Sequence, residues 1–154
     1  MHSHQHEAIL EVPADAAFAT LTDLERLPAW NTAIRAVTAR PERLEPGAEW
    51  VVQMRAMGQG WASRSTVLEY QPSERRFRYR SCTDDGNPSW AEWTWTVTPI
   101  GDAQCRIVVS WTLHPQTFWR RLLLVRIRAR QLRNGELPHS LTRLAEVSAL
   151  NARR

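Results

Sequence analysis

Several features that define other classes of protein are scarce or missing in this sequence. The chain has 154 residues, two cysteines and no unbroken apolar run longer than residues 122–125, whereas a membrane-spanning helix needs about 20 apolar residues. The N-terminus also lacks the basic region and continuous apolar segment of a signal peptide. We therefore expect a cytoplasmic protein with no transmembrane segment, in which Cys82 and Cys105 are free thiols.

Lysine is absent, so all 20 basic side chains are arginine, and the formal net charge is only +4. A charge of this size does not by itself indicate a nucleic-acid or membrane partner. Glycine-rich phosphate-binding loops and the nucleophile-elbow motif of serine hydrolases are also missing. The sequence therefore gives no support for triad chemistry, for a phosphate-binding loop or for a nucleic-acid partner.

Tryptophan, in contrast, is abundant, with eight residues in a chain that is 43% hydrophobic and 23% charged. This composition is typical of one globular domain over residues 1–154, which can build a core without metal ions or disulfide bonds. Each tryptophan has a large apolar face and one N–H group that needs a partner when it is buried. The sequence therefore predicts a core or a binding pocket lined by tryptophan.

The N-terminal third changes its hydrophobic period once. Ala8, Leu10 and Val12 alternate and are followed by Pro13, which predicts a strand. Apolar residues then recur at every third position, which predicts one or two short helices up to Pro28. These residues are Phe18, Leu21, Leu24 and Leu27.

The middle of the chain contains five or six segments with strand composition, separated by turn signals such as Pro46-Gly47 and Gly101-Asp102. Their alternation predicts an antiparallel meander with one buried and one polar face. The segment from residue 61 to residue 70 is ambiguous, because Val67 and Leu68 are both apolar and have opposite parity. A β-bulge there would change which of its side chains point inward.

After the sheet, apolar residues repeat at spacings of four and three from Phe118 onward, which predicts an amphipathic C-terminal helix. Pro138 leaves open whether this segment is one kinked helix or two helices in sequence. The order of elements predicts an α+β domain, with a curved antiparallel sheet of about six to seven strands wrapped around the long C-terminal helix. A mostly apolar space between sheet and helix is then the expected site for a small molecule.

Several short segments, taken in their order along the chain, resemble those of a known family. The set is VPADAAF (12–18), LTDLERLPAW (21–30), PGAEW (46–50), VLEYQP (67–72), WTW (93–95), VVSW (108–111) and SLTRL (140–144). From about His6 to Leu150 the chain resembles the START and polyketide cyclase-type (SRPBCC) superfamily, which has the helix-grip fold. The resemblance implies an elongated cavity that takes lipids, sterols, polyketides or similar molecules. Members include binding and transfer proteins, cyclases and co-chaperone-like interaction modules.

The alternation in the strands and the period of the C-terminal helix select the side chains that point toward this cavity. We expect some of them to form core and about half to contact a ligand. The set is Trp50, Val52, Met54, Tyr79, Trp93, Trp95, Ile107, Val109 and Trp111 from the sheet, with Phe118, Leu122 and Val125 from the helix.

Fewer residues are candidates for acid–base catalysis than for ligand contact. Arg64 and Tyr70 are the candidate catalytic residues, with Tyr79 and Glu69 as further polar groups. An inward Arg64 would polarise a carbonyl and favour its enolate. The ambiguous parity of the strand leaves open the alternative that Arg64 lies on the wet face.

The five histidines do not form a clear catalytic or metal-binding pattern. His2, His4 and His6 alternate and are suited to zinc or nickel, but we interpret them as a frayed terminus with adventitious metal affinity. His114 and His139 are interpreted as surface or helix-capping residues. No metal and no organic cofactor is predicted.

Six arginines and no acidic residue lie between Phe118 and Arg133. We interpret them as the solvated face of the helix, with transient contact to an anionic membrane as an alternative. Taken together, the sequence predicts a protein that binds a small hydrophobic or aromatic molecule, such as a lipid, sterol or polyketide. A polyketide cyclase or dehydratase using the same cavity and a protein-interaction module are the alternatives.

Overall fold

A computed structural model describes residues 2–56, 58–83, 89–114 and 137–152. These residues form seven strands, two short α-helices with a 3-10 turn between them, and a C-terminal helix. The strands are β1 (His2–Leu10), β2 (Ile34–Ala39), β3 (Glu49–Ala56), β4 (Gln59–Gln71), β5 (Arg76–Thr83), β6 (Trp90–Ile100) and β7 (Gln104–His114). The helices are α1 (Ala14–Thr22), the 3-10 turn (Leu24–Arg26), α2 (Leu27–Trp30) and α3 (Leu137–Ala152).

The seven strands form one antiparallel sheet in the order β1-β7-β6-β5-β4-β3-β2. Strands β2 to β7 follow one another as a meander, and β1 pairs along its length with the last strand of that meander. The helices α1 and α2 carry the chain from β1 at one edge to β2 at the opposite edge. The α+β fold with a seven-stranded sheet and a C-terminal helix confirms the predicted fold class.

The first helix combines local start signals with one buried face. Pro13 occupies the N-cap position, where its fixed φ and missing N–H cost nothing. Asp15 in the first turn forms a 2.7 Å ion pair with Arg75 in the β4–β5 turn, which ties the helix to the sheet. Four residues of α1 bury hydrophobic side chains in the core: Ala14, Ala17, Phe18 and Leu21.

The predicted bulge is present in β4. Val67 pairs with Tyr79, and the next pair joins Glu69 to Arg78, so Leu68 has no partner of its own in β5. Val67 is 1% exposed and Leu68 is 37% exposed. Leu68 follows the normal alternation, and the extra residue then keeps Glu69 on the outer face and brings Tyr70 to the inner face, as a bulge does.

Helix α3 packs on α1 and α2 through Leu141 and Leu144, which are both buried. The backbone N–H of Thr32 donates to the Ser140 hydroxyl at 3.2 Å. Arg143 also donates to the carbonyl oxygen of Ala29 at 3.2 Å. These bonds fix the described C-terminal helix against the turn that follows α2.

Part of the predicted C-terminal helix lies outside the described residues. This part includes Phe118, Leu122, Val125 and the arginines of residues 118–133, as well as any helical segment before Leu137. No helix within the described ranges combines the length and the apolar character needed to cross a bilayer. Cys82 and Cys105 are both free thiols, as predicted.

Candidate functional site

The helices cover one face of the sheet, which we call the inner face. Trp30 of α2 meets Trp95 of β6 edge to face, with ring centroids 5.9 Å apart. Phe18 of α1 meets Tyr70 of β4 in the same manner, at 6.1 Å. Because side chains alternate along a strand, residues that share parity with Trp95 lie on this inner face.

Cross-strand pairing places all nine sheet residues predicted to face the cavity on the inner face. Six of them are buried, at 3% exposure or less, and form core: Trp50, Val52, Trp95, Ile107, Val109 and Trp111. Met54, Tyr79 and Trp93 are partly exposed and pack against that core. These three are the predicted residues with ring or side-chain surface left for a ligand.

Burial decreases along the inner face in one direction. Toward one end, Val67, Phe77 and Val97 are 2% exposed or less. Toward the other end lies a set of partly exposed inner-face side chains, which we call the half-buried end. It consists of Met54, Trp61, Ser63, Ser81, Ala91, Trp93 and Leu113.

Aromatic rings from adjacent strands stack on one another toward the half-buried end. The Trp93 ring lies between Tyr79, at 6.4 Å and 18°, and Trp111, at 5.6 Å and 22°. His4 of β1 extends the series on the other side of Trp111, at 5.4 Å and 27°. The result is a row of nearly parallel rings across four strands, with Trp93 partly exposed within it.

The same face carries several hydrogen-bond donors. The Trp95 indole N–H donates to the Tyr79 hydroxyl at 3.2 Å, and burial raises the pKa of Tyr79 to about 12, so this hydroxyl keeps its proton. The indole nitrogens of Trp30 and Trp111 are buried and have no hydrogen-bond partner among the described residues. Because these two nitrogens are buried, the hydroxyl of the partly exposed Tyr79 is the better placed of these donors for a ligand.

Two hydroxyl groups pair on the inner face beside these rings. Ser65 of β4 and Ser81 of β5 are cross-strand neighbours, and their hydroxyl oxygens are 2.8 Å apart. Ser65 is 3% exposed, whereas Ser81 is partly exposed at the half-buried end. We call these two residues the serine pair.

Formal charges, in contrast, are kept off this surface. In β1 and β3 to β7, which are described throughout, no arginine, lysine, aspartate or glutamate stands at an inner-face position. Charged residues of these strands point to the outer face, where Glu69 contacts Arg76 and Arg78 at 3.3 and 3.4 Å. The inner wall of the sheet is thus aromatic, with neutral polar groups and two histidines.

The structure settles the direction of Arg64 and Tyr70. Arg64 lies on the outer face and forms a 3.1 Å ion pair with Glu49, because the bulge comes only after it at Leu68. The alternative that places Arg64 on the wet face is therefore the correct one. Tyr70 lies on the inner face, packed against Phe18 and Phe77.

The interpretation of the N-terminal histidines as a frayed terminus is wrong. Strand β1 begins at His2 and pairs along its whole length, so His4 lies opposite Trp111 and His6 opposite Val109 on the inner face. In the sequence, these histidines alternate in step with Ala8 and Leu10, which indicates that they continue the same face of the strand. The histidines take ordered positions because β1 pairs with β7, a strand that is distant in the sequence.

Of the other histidines, His114 is on the outer face and stacks on Trp90 with centroids 3.7 Å apart. His139 of α3 is exposed, as predicted for a surface residue. Trp61 and the serine pair were not singled out for ligand contact from the sequence. Their inward direction follows from the pairing of β4 with β3 and β5.

Comparison with known structures supports the architecture. A START superfamily protein from Mycobacterium smegmatis has 17% identity and a TM-score of 0.74, over 96% of this chain and 99% of that protein. The Zhui aromatase/cyclase from a Streptomyces species has 14% identity and a TM-score of 0.70, over 96% and 93%. At these identities the likeness shows a shared helix-grip fold.

The di-domain ARO/CYC protein BexL has 18% identity and a TM-score of 0.73 over 95% of this chain. The chain spans 46% of that protein's length. No curated protein matches the sequence at a significant level. The family model described as "Polyketide cyclase / dehydrase and lipid transport" matches residues 1–148. With nearly the whole sequence matched and the expected fold, the chain belongs to the polyketide cyclase/dehydrase and lipid transport family.

Proposed function

We propose that the protein binds a planar, largely apolar molecule on the inner face of the sheet, at its half-buried end. The observation that carries this proposal is Trp93, which is partly exposed within a row of parallel rings. Its neighbours Trp95 and Trp111 are 2% and 1% exposed and complete the core without a ligand. The exposed part of the Trp93 ring is aromatic surface that the core does not use.

The chemistry of this surface favours a flat ring system. Aromatic pairs in offset-stacked geometry contribute about 0.5–1.5 kcal/mol beyond the burial of their area. Trp93 is held by Tyr79 on one side and Trp111 on the other, so little ring mobility is lost when a ligand binds. Because both faces of Trp93 are covered, a flat hydrophobic or aromatic molecule gains from burial and from an edge-to-face contact with the exposed edge of this ring.

Native mass spectrometry of freshly purified protein, beside a solvent-extracted sample, tests the proposal directly. We expect a reproducible additional mass, or quenching of tryptophan fluorescence by planar aromatic probes. Trp93→Ala should weaken probe binding at least tenfold. The matched control is Trp90→Ala, because Trp90 stacks on His114 and Arg80 on the outer face. Its affinity should match that of the wild type.

Absence of any adduct, together with failure of planar probes, sterols and fatty acids to quench the fluorescence, would overturn the binding proposal. An equal loss in the Trp93 and Trp90 variants would also contradict it, because the effect would then be structural. The protein-interaction module would become the better account of the fold if no small molecule binds.

A second candidate is a cyclase or dehydratase that uses the same face. The observation that favours it is Tyr79, whose hydroxyl accepts from Trp95 and keeps its own proton because its pKa is raised. Such a donor can polarise a ligand carbonyl and stabilise a developing enolate. Tyr70 is the second inner-face tyrosine, whereas Arg64 lies on the outer face beside Glu49.

Turnover distinguishes the two candidates. The cyclase proposal expects conversion of a polyketone substrate, with Tyr79→Phe lowering kcat by at least tenfold while the affinity for the aromatic product falls much less. Binding of the substrate analogue without any conversion would reject catalysis and leave the binding proposal intact.

A further inference from the structure

We propose that Ser81, oriented by Ser65, donates a hydrogen bond to an uncharged oxygen of the bound molecule, and that the ligand is a neutral ketone-bearing ring system, not an acid. This inference rests on the proposed binding function and narrows the class of ligand. It concerns the serine pair, whose hydroxyl oxygens are 2.8 Å apart on the inner face.

The different burial of the two serines gives this hydrogen bond a direction. Ser65 is 3% exposed, and among the described residues its hydroxyl bonds to Ser81 alone. A buried hydroxyl that donates to nothing carries a desolvation penalty, so Ser65 donates to the oxygen of Ser81. The hydrogen of the Ser81 hydroxyl is then left to donate to a second acceptor at the half-buried end.

Cross-strand register brings Ser81 close to the proposed stacking surface. Ser81 pairs with Ala91 of β6, and Tyr79 pairs with Trp93, so the two pairs are consecutive on the inner face. Alternate residues on one face of a strand are about 7 Å apart, and neighbouring strands are about 5 Å apart. A ring system in contact with the exposed edge of Trp93 can thus place a substituent against Ser81.

The absence of charge on the inner wall selects among oxygen-bearing ligands. No cationic arginine or lysine side chain occupies an inner-face position of the described strands β1 and β3 to β7. A carboxylate moved from water to this wall would lose hydration without gaining an ion pair. A ketone loses far less hydration and accepts the single hydrogen bond that Ser81 offers.

Two other groups on this face also have a donor hydrogen that is not used within the described residues. The Trp111 indole nitrogen is buried without a hydrogen-bond partner in the described part of the chain, and the Tyr79 hydroxyl uses an acceptor site for Trp95. Tyr79 belongs to the partly exposed residues, so its donor hydrogen is complementary to a second acceptor on the ligand. This agreement supports a carbonyl-bearing ligand over a saturated hydrocarbon.

Three planar probes of one shape test the inference: fluorene, fluorenone and fluorenone carboxylate. Fluorenone affinity is measured by tryptophan quenching at pH 8, above the range in which imidazoles ordinarily titrate, and the other two by displacement of fluorenone. We expect fluorenone to bind about five- to tenfold more tightly than fluorene, as one hydrogen bond provides. The carboxylate should bind at least tenfold more weakly than fluorenone.

The variants identify the donor. Ser81→Ala should remove the preference for fluorenone over fluorene and leave the affinity for fluorene unchanged. Ser65→Ala should reduce the preference in part, because Ser81 loses the partner that orients it. Ser110→Ala is the matched control, since Ser110 lies on the outer face opposite Thr94 and Gln5, and it should keep the full preference.

Three outcomes would overturn the inference. They are equal wild-type affinities for fluorene and fluorenone, tighter binding of the carboxylate, and equal loss of both neutral probes in Ser81→Ala. In each of these cases fluorene still binds, so the proposed binding function survives. If none of the probes binds to the wild-type protein, this inference fails, and the binding function fails with it where native mass spectrometry also shows no adduct and sterols and fatty acids do not bind.

Discussion

The indole nitrogen of Trp95 lies 3.2 Å from the hydroxyl oxygen of Tyr79 and donates a hydrogen bond to it. Trp95 is 2% exposed, so this bond satisfies a donor that water does not reach. The same bond occupies an acceptor site of Tyr79 and leaves the phenol hydrogen available. This core contact therefore fixes the direction of a polar group on the inner face, while burial raises its pKa and keeps it protonated.

Replacing Tyr79 by Phe should destabilise the fold by about 1–3 kcal/mol at pH 8, because the Trp95 N–H is left buried without its acceptor. This loss should shrink as the pH rises from 10 to 12. In the unfolded chain the Tyr79 phenol ionises near the ordinary tyrosine pKa of 10.0, whereas in the folded chain its pKa is about 12. Wild-type stability therefore falls through this window, by roughly 2 kcal/mol, and the variant lacks that loss.

Urea denaturation of both proteins at pH 8, 10 and 11 measures this difference. Effects of high pH on all other groups are common to the two proteins and cancel in the comparison. A stability difference that stays constant across the three pH values would contradict the raised pKa of Tyr79.

The different burial of Val67 and Leu68 in β4 predicts unequal effects for these two adjacent apolar residues. Val67→Ala removes methyl groups from a side chain that is 1% exposed and should cost about 2 kcal/mol. Leu68→Ala changes a side chain that is 37% exposed and should cost less than about 0.5 kcal/mol. Thermal and urea unfolding of the two variants provide the comparison. Equal costs would contradict the inward direction of Val67 and the outward direction of Leu68.

Two serines of α3 should respond in opposite directions. Ser140→Ala leaves the Thr32 N–H without its acceptor and should lower the free energy of unfolding by about 1 kcal/mol. The Ser148 hydroxyl is fully buried with no hydrogen-bond partner in the described chain. Ser148→Ala should therefore raise the free energy of unfolding by up to about 1 kcal/mol, since it removes that hydroxyl and improves helix propensity. Destabilisation in both variants would refute this assignment.

Arg64→Ala tests the outward direction of Arg64. Its ion pair with Glu49 joins side chains that are 41% and 48% exposed, so the expected cost is below about 1 kcal/mol. Affinity for planar probes should stay within about twofold of the wild type. Ser65→Ala, one position along the strand and on the opposite face, is the contrasting variant for fluorenone binding. A large loss of affinity in the Arg64 variant would place its side chain on the inner face after all.

Local patterns in the sequence were sufficient for much of this architecture. The alternation of Trp93 and Trp95 with polar residues follows from the period of a strand, and Pro13 and Asp15 mark the start of α1 through local capping chemistry. The adjacent pair of Val67 and Leu68 indicated a bulge. These features depend on neighbours a few residues apart, so the sequence alone predicts them.

The candidate site depended more on distant contacts. The sequence placed Trp93, Trp95 and Trp111 on one face, but only the packed structure distinguishes the partly exposed Trp93 from its two buried neighbours. Likewise, His4 has an ordered position only because it pairs with β7, more than one hundred positions away in the sequence. The exposure of a side chain on the inner face depends on which helix covers its strand. The alternation of apolar and polar residues along a strand does not contain this information.

The sequence by itself therefore determined the element order, the inward parity of the tryptophans and the family to which the chain belongs. Tertiary structure alone decided that Arg64 points outward with Glu49, that Ser65 and Ser81 meet, and that Trp95 donates to Tyr79. The physical reason is that side-chain alternation is a property of one strand. The pairing of polar groups, in contrast, requires the register between strands, which the whole sheet sets.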